Sequence, residues 1–247
     1  MKHRFKECLA AAVFVAVFGG TAAVAAPLVP GDTIMMPGST AASNPDLVGS
    51  VVQDSILATN VLQVPPGSNP FFNFADFSVQ NRVVRSDADS NLIFAPRILF
   101  RRNVTTFPLL VNRVEMWGFS DFAIDASYRV DGVGDRGPTT GSRSADGQTL
   151  NFDFGFPLFV NNLVVGPQEE SYFFSLKSDA STFANTGRLS IFAEAVGDPV
   201  QGRVYRFDVG GLAVPTTTVV PLPASMVMLI GAIAALFSQS LRRRIKT

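Results

Sequence analysis

The chain of 247 residues contains one cysteine and one histidine, Cys8 and His3, and both lie within its first eight residues. If these first residues belong to a segment that is cleaved off, the remaining protein has neither residue type. A disulfide, a cysteine nucleophile, a Ser–His–Asp triad and a His-containing zinc site are then excluded within the chain. Tryptophan is also scarce, because Trp117 is the only one and tyrosine occurs three times. A sugar-binding surface built from these side chains would therefore have few members.

Net charge is absent as well, since 20 basic residues balance 20 acidic ones. The charges are unevenly distributed, however. The first six residues contain three basic side chains and the last six contain four, whereas residues 26–218 carry 13 basic and 19 acidic side chains. Phosphate binding requires clustered cations, which this acidic central segment lacks. We therefore expect no nucleic acid partner.

The N-terminus has the three parts of a secretory signal. The basic stretch MKHRFK precedes the apolar stretch CLAAAVFVAVFGG, and small residues follow at Ala23 and Ala25. This order predicts a signal peptide over residues 1–25, handled by the export machinery and cleaved by signal peptidase after Ala25. An uncleaved anchor is the alternative, but the apolar stretch is short for a membrane span.

The C-terminus ends in an apolar stretch and a basic cluster. Residues 226–237 are mostly apolar, and an extension to Leu241 gives a helix of roughly 18 to 24 Å against a hydrocarbon core of about 30 Å. We expect a single transmembrane helix there. The basic cluster favours the cytoplasmic side, so the rest of the chain would face outward. This cluster consists of Arg242, Arg243, Arg244 and Lys246.

A proline motif precedes this helix, and its residues are Val220, Pro221, Leu222, Pro223 and Ala224. Motif, helix and terminal arginines together resemble the VPLPA variant of the PEP-CTERM sorting signal of Gram-negative bacteria, over residues 220–247. The resemblance implies recognition by an exosortase and removal of the tail after export, in organisms that typically make exopolysaccharide. Residues 238–240 depart from the family by interrupting the apolar stretch with Ser-Gln-Ser. A permanent single-span anchor is the alternative.

Between these ends the sequence has the pattern of a β protein. The stretch NFDFGF puts Phe152, Phe154 and Phe156 on one face of a half-buried strand. Similar runs, bounded by Gly, Asp, Asn or Pro, recur roughly every 10 to 15 residues without a convincing amphipathic helix. They predict an all-β fold, a β-sandwich for which a jelly roll is one candidate topology, flanked by the signal peptide and the C-terminal helix.

The same pattern divides the chain into segments. Residues 26–45 are rich in proline and predict an extended leader or a first edge strand. The folded part is expected at residues 46–214, followed by a Thr-rich spacer at 215–219. Of the 22 phenylalanines, 18 lie between the two targeting segments, and they supply a core that needs no disulfide.

The stretch SDADSNL places Asp87, Asp89 and Asn91 at alternate positions, as at the start of a calcium loop. The rest of the EF-hand pattern is missing, because Leu92 stands where glycine is needed and Ile98 where the bidentate glutamate belongs. A solvated turn is the alternative interpretation. Calcium therefore stays a weak hypothesis, and no other cofactor is expected.

Residues 131–148 are polar and rich in glycine, which predicts an exposed loop between strands. Its three aspartates, Asp131, Asp135 and Asp146, would be available to a cation or to the hydroxyl groups of a glycan. A simple hairpin loop is the alternative. No phosphate-binding glycine pattern occurs at a strand-to-helix junction, so nucleotide binding is not expected.

Two pairs of carboxylates are visible for hydrolysis without histidine. Asp121 and Asp125 are four residues apart in an expected strand, about 13 Å on one face, which exceeds the separation that glycosidases use. Glu169 and Glu170 are adjacent. Sequence alone brings neither pair into a catalytic geometry.

These observations favour a non-enzymatic protein of the cell surface or extracellular matrix. We expect it to be anchored briefly in the inner membrane, processed by an exosortase, and to have a structural or adhesive role associated with exopolysaccharide. The first alternative is a calcium-assisted glycan-binding module that uses Trp117, a residue for which a place in the core of a strand is the simpler interpretation. A carboxylate-dependent glycoside hydrolase is the third hypothesis.

Overall fold

The computed structural model describes residues 25–63, 74–105, 107–162, 168–198, 200 and 202–217. The predicted sorting motif, C-terminal helix and basic cluster lie outside these residues, as does the predicted signal peptide up to residue 24. Within the described ranges, no helix is long and apolar enough to cross a membrane.

Strands dominate the described residues, and a short 3₁₀ helix covers Pro45–Leu47. The strands are β1 (Ala26–Pro27), β2 (Thr33–Met35), β3 (Gly38–Ser39), β4 (Gly49–Ala58), β5 (Leu62–Gln63), β6 (Phe74–Ser86), β7 (Leu92–Phe94), β8 (Arg97–Val104), β9 (Leu109–Trp117), β10 (Ile124–Arg129), β11 (Thr140–Arg143), β12 (Thr149–Val160), β13 (Phe173–Ser178), β14 (Thr182–Ala195) and β15 (Val204–Thr216).

These strands form two sheets. The nine-stranded sheet has the order β1-β10-β13-β7-β6-β4, with β3 beside β10 and with β5 and β8 beside β6. The six-stranded sheet has the order β15-β14-β9-β12-β11-β2. Pairing is antiparallel apart from the short contact between β3 and β10. The predicted all-β fold is confirmed, and the two antiparallel sheets are consistent with the predicted sandwich.

Phenylalanine fills much of the hydrophobic core. Phe152 and Phe174 meet edge to face with their ring centroids 5.0 Å apart, and Phe77 and Phe207 do so at 4.8 Å. All four side chains are fully buried. Burial of each such ring stabilises the fold by about 1.5 to 3 kcal/mol. Hydrophobic packing of this kind stabilises the contact between the two sheets without disulfides.

The prediction that Phe156 shares a buried face with Phe152 and Phe154 is wrong. Phe154 is 3% exposed, whereas Phe156 is 71% exposed. The register of β12 against β9 shifts between Asp153 and Leu158. A bulge of this kind breaks the two-residue alternation, and Phe156 therefore points to solvent.

The segment at residues 26–45 is part of both sheets. The strand β1 pairs with β10, and β2 pairs with β11. Between them, Leu28 is 1% exposed and its backbone N–H donates to the carbonyl of Ile124 at 2.7 Å. Of the two predicted alternatives for this segment, the edge strand describes it better than a free leader.

The prediction of one exposed loop over residues 131–148 is also wrong. The strand β11 lies in its middle and pairs with β12 on one side and β2 on the other. Gly141 and Arg143 are buried, whereas Ser142 between them is half-buried. The sequence Thr-Gly-Ser-Arg has no large apolar residue, and this is why the hydrophobic pattern did not show a strand.

Arg143 is a buried cation with backbone partners. Its side chain is 4% exposed. It donates hydrogen bonds to the carbonyls of Leu28 at 3.3 Å, Phe119 at 2.6 Å, Ser120 at 3.1 Å and Gly147 at 3.0 Å. Burial lowers the pKa of the Arg143 guanidinium, and the negative charges of Asp121 and Asp179 oppose that shift. One side chain thereby ties the first buried residue of the fold to two turns.

Candidate functional site

The proposed calcium loop is the turn between β6 and β7. The Asp89 carboxylate lies 2.9 Å from Nζ of Lys177 and accepts two hydrogen bonds from Asn91 at 3.1 Å each. The hydrogen bond from Lys177 holds the pKa of Asp89 below its ordinary value. The carboxylate of Asp89, one of the three expected ligands, is thus already paired with an ammonium group. Among the described residues, no group of three His, Cys, Asp or Glu side chains is arranged to hold a metal.

The three aspartates of residues 131–148 serve separate partners. Each carboxylate accepts hydrogen bonds from groups near its own turn, so the three do not form one shared site. The donors are Arg129 and the Ala41 amide for Asp131, the Glu170 amide for Asp135, and Ser144 and the Gln148 amide for Asp146.

The adjacent pair Glu169 and Glu170 is bound by two arginines. Arg136 donates to both carboxylate oxygens of Glu169, at 2.8 and 2.7 Å, and Arg97 donates to Glu170. The hydrogen bond from Arg136 lowers the pKa of Glu169. A general acid must instead hold its proton near the working pH, so Glu169 is poorly suited to that role.

The prediction that Asp121 and Asp125 share one strand is wrong, because Asp121 lies in the turn before β10. Both nevertheless line a surface hollow of about 440 Å³ beside residues 27–30. Burial raises the pKa of Asp125, and the charge of Lys177 opposes that shift. Asp121 and Asp125 are the acidic groups among the described residues that line this hollow, and a hydrolase that used it would depend on these two carboxylates.

Trp117 lies on the outer surface of the six-stranded sheet. It is the last residue of β9 and is half-buried, so it does not occupy the core position that was the simpler expectation. In register it lies opposite Thr149 of β12 and Arg188 of β14. The neighbouring outward-facing positions of three strands then form a continuous surface.

We call this surface the platform and define it by seven residues. They are Arg113, Glu115 and Trp117 of β9, Arg188 and Phe192 of β14, and Arg206 and Asp208 of β15. Cross-strand register aligns them, because Arg113 faces Phe192 and Phe192 faces Arg206. Between the two rings, Glu115 and Asp208 lie on either side of Ser190.

The arginines of the platform lie against its two aromatic rings. The guanidinium carbon of Arg113 is 4.4 Å from the Phe192 ring centroid, and that of Arg188 is 5.3 Å from the Trp117 centroid. Arg206 is 5.7 Å from Trp117 and 5.8 Å from Phe192. These distances fall within the range of cation–π contacts, and Arg206 bridges the two rings.

The two carboxylates of the platform are paired with its arginines. Glu115 lies 3.2 Å from Arg113, and Asp208 lies 2.8 Å from Arg206 and 3.7 Å from Arg188. Burial alone would raise the pKa of Asp208, but hydrogen bonds from Ser190 and Arg206 bring it below its ordinary value. The carboxylate of Asp208 is therefore held in its charged form, and the platform places three guanidinium groups beside two carboxyl groups.

A shallow hollow adjoins the platform at Arg113 and Phe192. Its volume is about 310 Å³, and Asn112, Asp153, Glu194 and Val204 complete its lining. The side-chain amide of Asn112 donates to Glu194 at 2.9 Å. Carboxylate oxygens accept hydrogen bonds, so this end of the surface suits a ligand that carries hydroxyl groups.

A third hollow, of about 230 Å³, lies on the outer face of the nine-stranded sheet. The guanidinium carbon of Arg82 is 4.2 Å from the centroid of Phe173, which lines the hollow together with Arg129. Each arginine there has its own carboxylate, Asp54 for Arg82 and Asp131 for Arg129. The hollow is therefore mainly apolar, with its charges already matched.

Sequence reasoning found Trp117 but missed its neighbours on the platform. The alternation of β14 carries a usable signal, because Arg188 and Phe192 face outward while Leu189 and Ile191 are buried. An aromatic residue in an otherwise polar outward row marks a candidate contact surface. The partners from β9 and β15 come from distant parts of the sequence, and only the fold brings them together.

Comparison with known proteins gave no match. No protein-family model, no curated protein and no solved structure resembles this chain at a significant level. The functional case therefore depends on the residues of the chain itself.

Proposed function

We propose that this chain is an exported, non-catalytic adhesive protein of the cell surface or extracellular matrix, associated with exopolysaccharide. In this proposal signal peptidase cuts after Ala25, and a C-terminal helix holds the intermediate in the inner membrane. An exosortase then recognises the motif at residues 220–224 and removes the tail. The sandwich, which we interpret as jelly-roll-like, is the part delivered to the surface.

The platform is the observation that supports an adhesive role. Arginine and aromatic residues are enriched where proteins contact partners, and here two rings and three guanidiniums share one sheet surface. Trp117 and Phe192 are half-buried outside the core. The same feature favours the second candidate, a glycan-binding module, although nothing at the platform calls for calcium.

The state of Glu169 and Glu170 supports a non-catalytic role for this pair. Glu169 and Glu170 are held in ion pairs by Arg136 and Arg97. Glycoside hydrolysis needs one carboxyl group that keeps its proton and a second one nearby. The hydrogen bond from Arg136 lowers the pKa of Glu169, which opposes its use as the group that keeps its proton.

The proposal is tested by measuring binding of the full-length protein, in mild detergent, to exopolysaccharide purified from the producing strain. We expect saturable binding and no release of reducing sugar on long incubation. Dextran, a neutral polysaccharide, serves as the control polymer. Absence of binding to the strain's polymer would overturn the adhesive role, and release of reducing ends would overturn the non-catalytic one.

A further inference from the structure

We infer that the platform binds carboxylate groups of an acidic polysaccharide, a polymer that contains uronic acid residues. This inference rests on the proposed function, because it names the class of polymer that the protein would contact. Three properties of the platform favour an acidic polysaccharide as its ligand. They are the exposure of its guanidiniums, the position of its aromatic rings and the hydrogen-bond acceptors in the adjoining hollow.

The guanidiniums of the platform are the groups best placed to meet an anion. The side chains of Arg113 and Arg188 are 44% and 57% exposed, whereas those of Glu115 and Asp208 are 18% and 40% exposed. Among the described residues, Arg188 donates no hydrogen bond, and its ion pair with Asp208 is long, at 3.7 Å. Its planar fork of N–H donors is therefore free to bind a carboxylate with two parallel hydrogen bonds.

The aromatic rings hold these guanidiniums in place. Arg206 lies between Trp117 and Phe192 and donates to Asp208 at 2.8 Å. A side chain that is stacked and hydrogen-bonded in the free protein loses less conformational freedom when a ligand binds. Lysine would not replace arginine here, because an ammonium group offers neither the stacking plane nor the fork.

The adjoining hollow distinguishes a glycan from a simple polyanion. Asp153 and Glu194 line it together with Asn112. These carboxylates repel any anionic group, uronate as well as phosphate, but they accept hydrogen bonds from sugar hydroxyls. A uronic acid polymer satisfies both parts of the surface, because it carries carboxylates for the arginines and hydroxyls for the hollow. Inorganic polyphosphate satisfies only the first part.

The test uses the full-length chain in mild detergent, titrated with alginate as the polyuronate probe. Every variant also carries Arg242→Gln, Arg243→Gln and Arg244→Gln, so that the predicted basic tail does not bind the polymer itself. Because Trp117 is the only tryptophan in the sequence, its fluorescence reports on the platform alone. We expect saturable binding with a change in Trp117 emission, weakened by added salt.

The decisive comparison is Arg188→Gln against Arg85→Gln. Both remove one positive charge, but Arg85 lies in β6 of the other sheet and donates to the carbonyls of Ser90 and Ser181. We expect Arg188→Gln to weaken alginate binding about tenfold, the loss of one charge-assisted hydrogen-bonded pair. Arg85→Gln should leave the affinity unchanged.

Absence of alginate binding, or an equal effect of the two substitutions, would overturn the inference. Tighter binding of dextran, polyphosphate or polyglutamate than of alginate would overturn the choice of an acidic glycan. Binding to the strain's own exopolysaccharide tests the proposed function separately from the role of the platform. If the Arg188→Gln variant binds it as well as the parent does, this inference fails while the proposed function stands. If the parent does not bind it, the proposed function fails.

Discussion

Replacement of Arg143 by methionine should destabilise the fold markedly. The substitution keeps much of the length of the side chain but removes its charge and all its donors. The four backbone carbonyls that accept hydrogen bonds from Arg143 then lose this partner. A lost hydrogen bond costs about 1 kcal/mol, and an unsatisfied buried acceptor costs more.

Four such losses would amount to about 4 kcal/mol. Two effects reduce this figure. The bond to Ser120 is only partly buried, so water can replace it, and the variant no longer bears the cost of keeping a charge out of water. We therefore expect about 3 kcal/mol, a large share of the 5 to 15 kcal/mol of an ordinary domain.

Urea denaturation of the full-length chain in detergent measures this loss, with Trp117 fluorescence as the signal. Arg143→Lys should fall between the parent and the methionine variant, because an ammonium reaches fewer of the carbonyls than a guanidinium does. Arg85→Met is the matched control, since its two acceptors lie at the surface. A loss below about 1 kcal/mol for Arg143→Met would refute the reasoning.

Three further predictions concern charge, metal and processing. Asp131→Asn should cost about 1 kcal/mol at neutral pH and progressively less below pH 3.8, because the hydrogen bond from its neighbouring arginine holds the pKa of Asp131 below that value. Its contribution is present above that value and is lost as the pH falls. Millimolar calcium or a chelator should leave the melting temperature unchanged, because Lys177 already pairs with Asp89. Peptide mapping of surface protein should recover no peptide that spans residues 223–226.

Each of these predictions has a matched comparison. For Asp131→Asn, the difference in the free energy of unfolding between variant and parent should become smaller as the pH falls. A difference that stays constant with pH would contradict the lowered pKa of Asp131. For the metal prediction, magnesium is the control ion. A rise in melting temperature with calcium alone would contradict the view that the ion pair with Lys177 occupies Asp89. For processing, a Pro221→Ala, Pro223→Ala variant should retain its tail, and intact tail peptides from the parent would refute cleavage.

The fold class was predictable because its signals are local. Alternation at Phe152 and Phe154, together with frequent turn residues, predicts half-buried strands without knowledge of their partners. The exposure of Phe156 was not predictable, because a bulge is defined by the register of a neighbouring strand. The strand β11 was missed for a different reason, since its buried positions are a glycine and an arginine and neither is a hydrophobic marker.

Of the seven residues of the platform, only Trp117 was identified from the sequence. Trp117 stood out because it is unique in the sequence. Arg188 and Arg206 did not, because exposed arginines are ordinary on a sheet surface. Their significance depends on the pairing of β9 with β14 and of β14 with β15. The order of strands along the chain does not determine which strands are neighbours in a sheet. A surface built from side chains of three strands that are distant in sequence therefore cannot be predicted from the sequence alone.

The placement of β1 has a consequence for the export that we propose. This strand begins at Ala26, directly after the predicted cleavage site, yet its partner β10 and the Arg143 side chain that holds Leu28 come about a hundred residues later in the chain. Contacts so distant in sequence form late, because a long loop must close first. If the chain is exported with its N-terminus leading, as we propose, β1 would cross before the residues that pair with it. That interval would keep the bond after Ala25 accessible to signal peptidase.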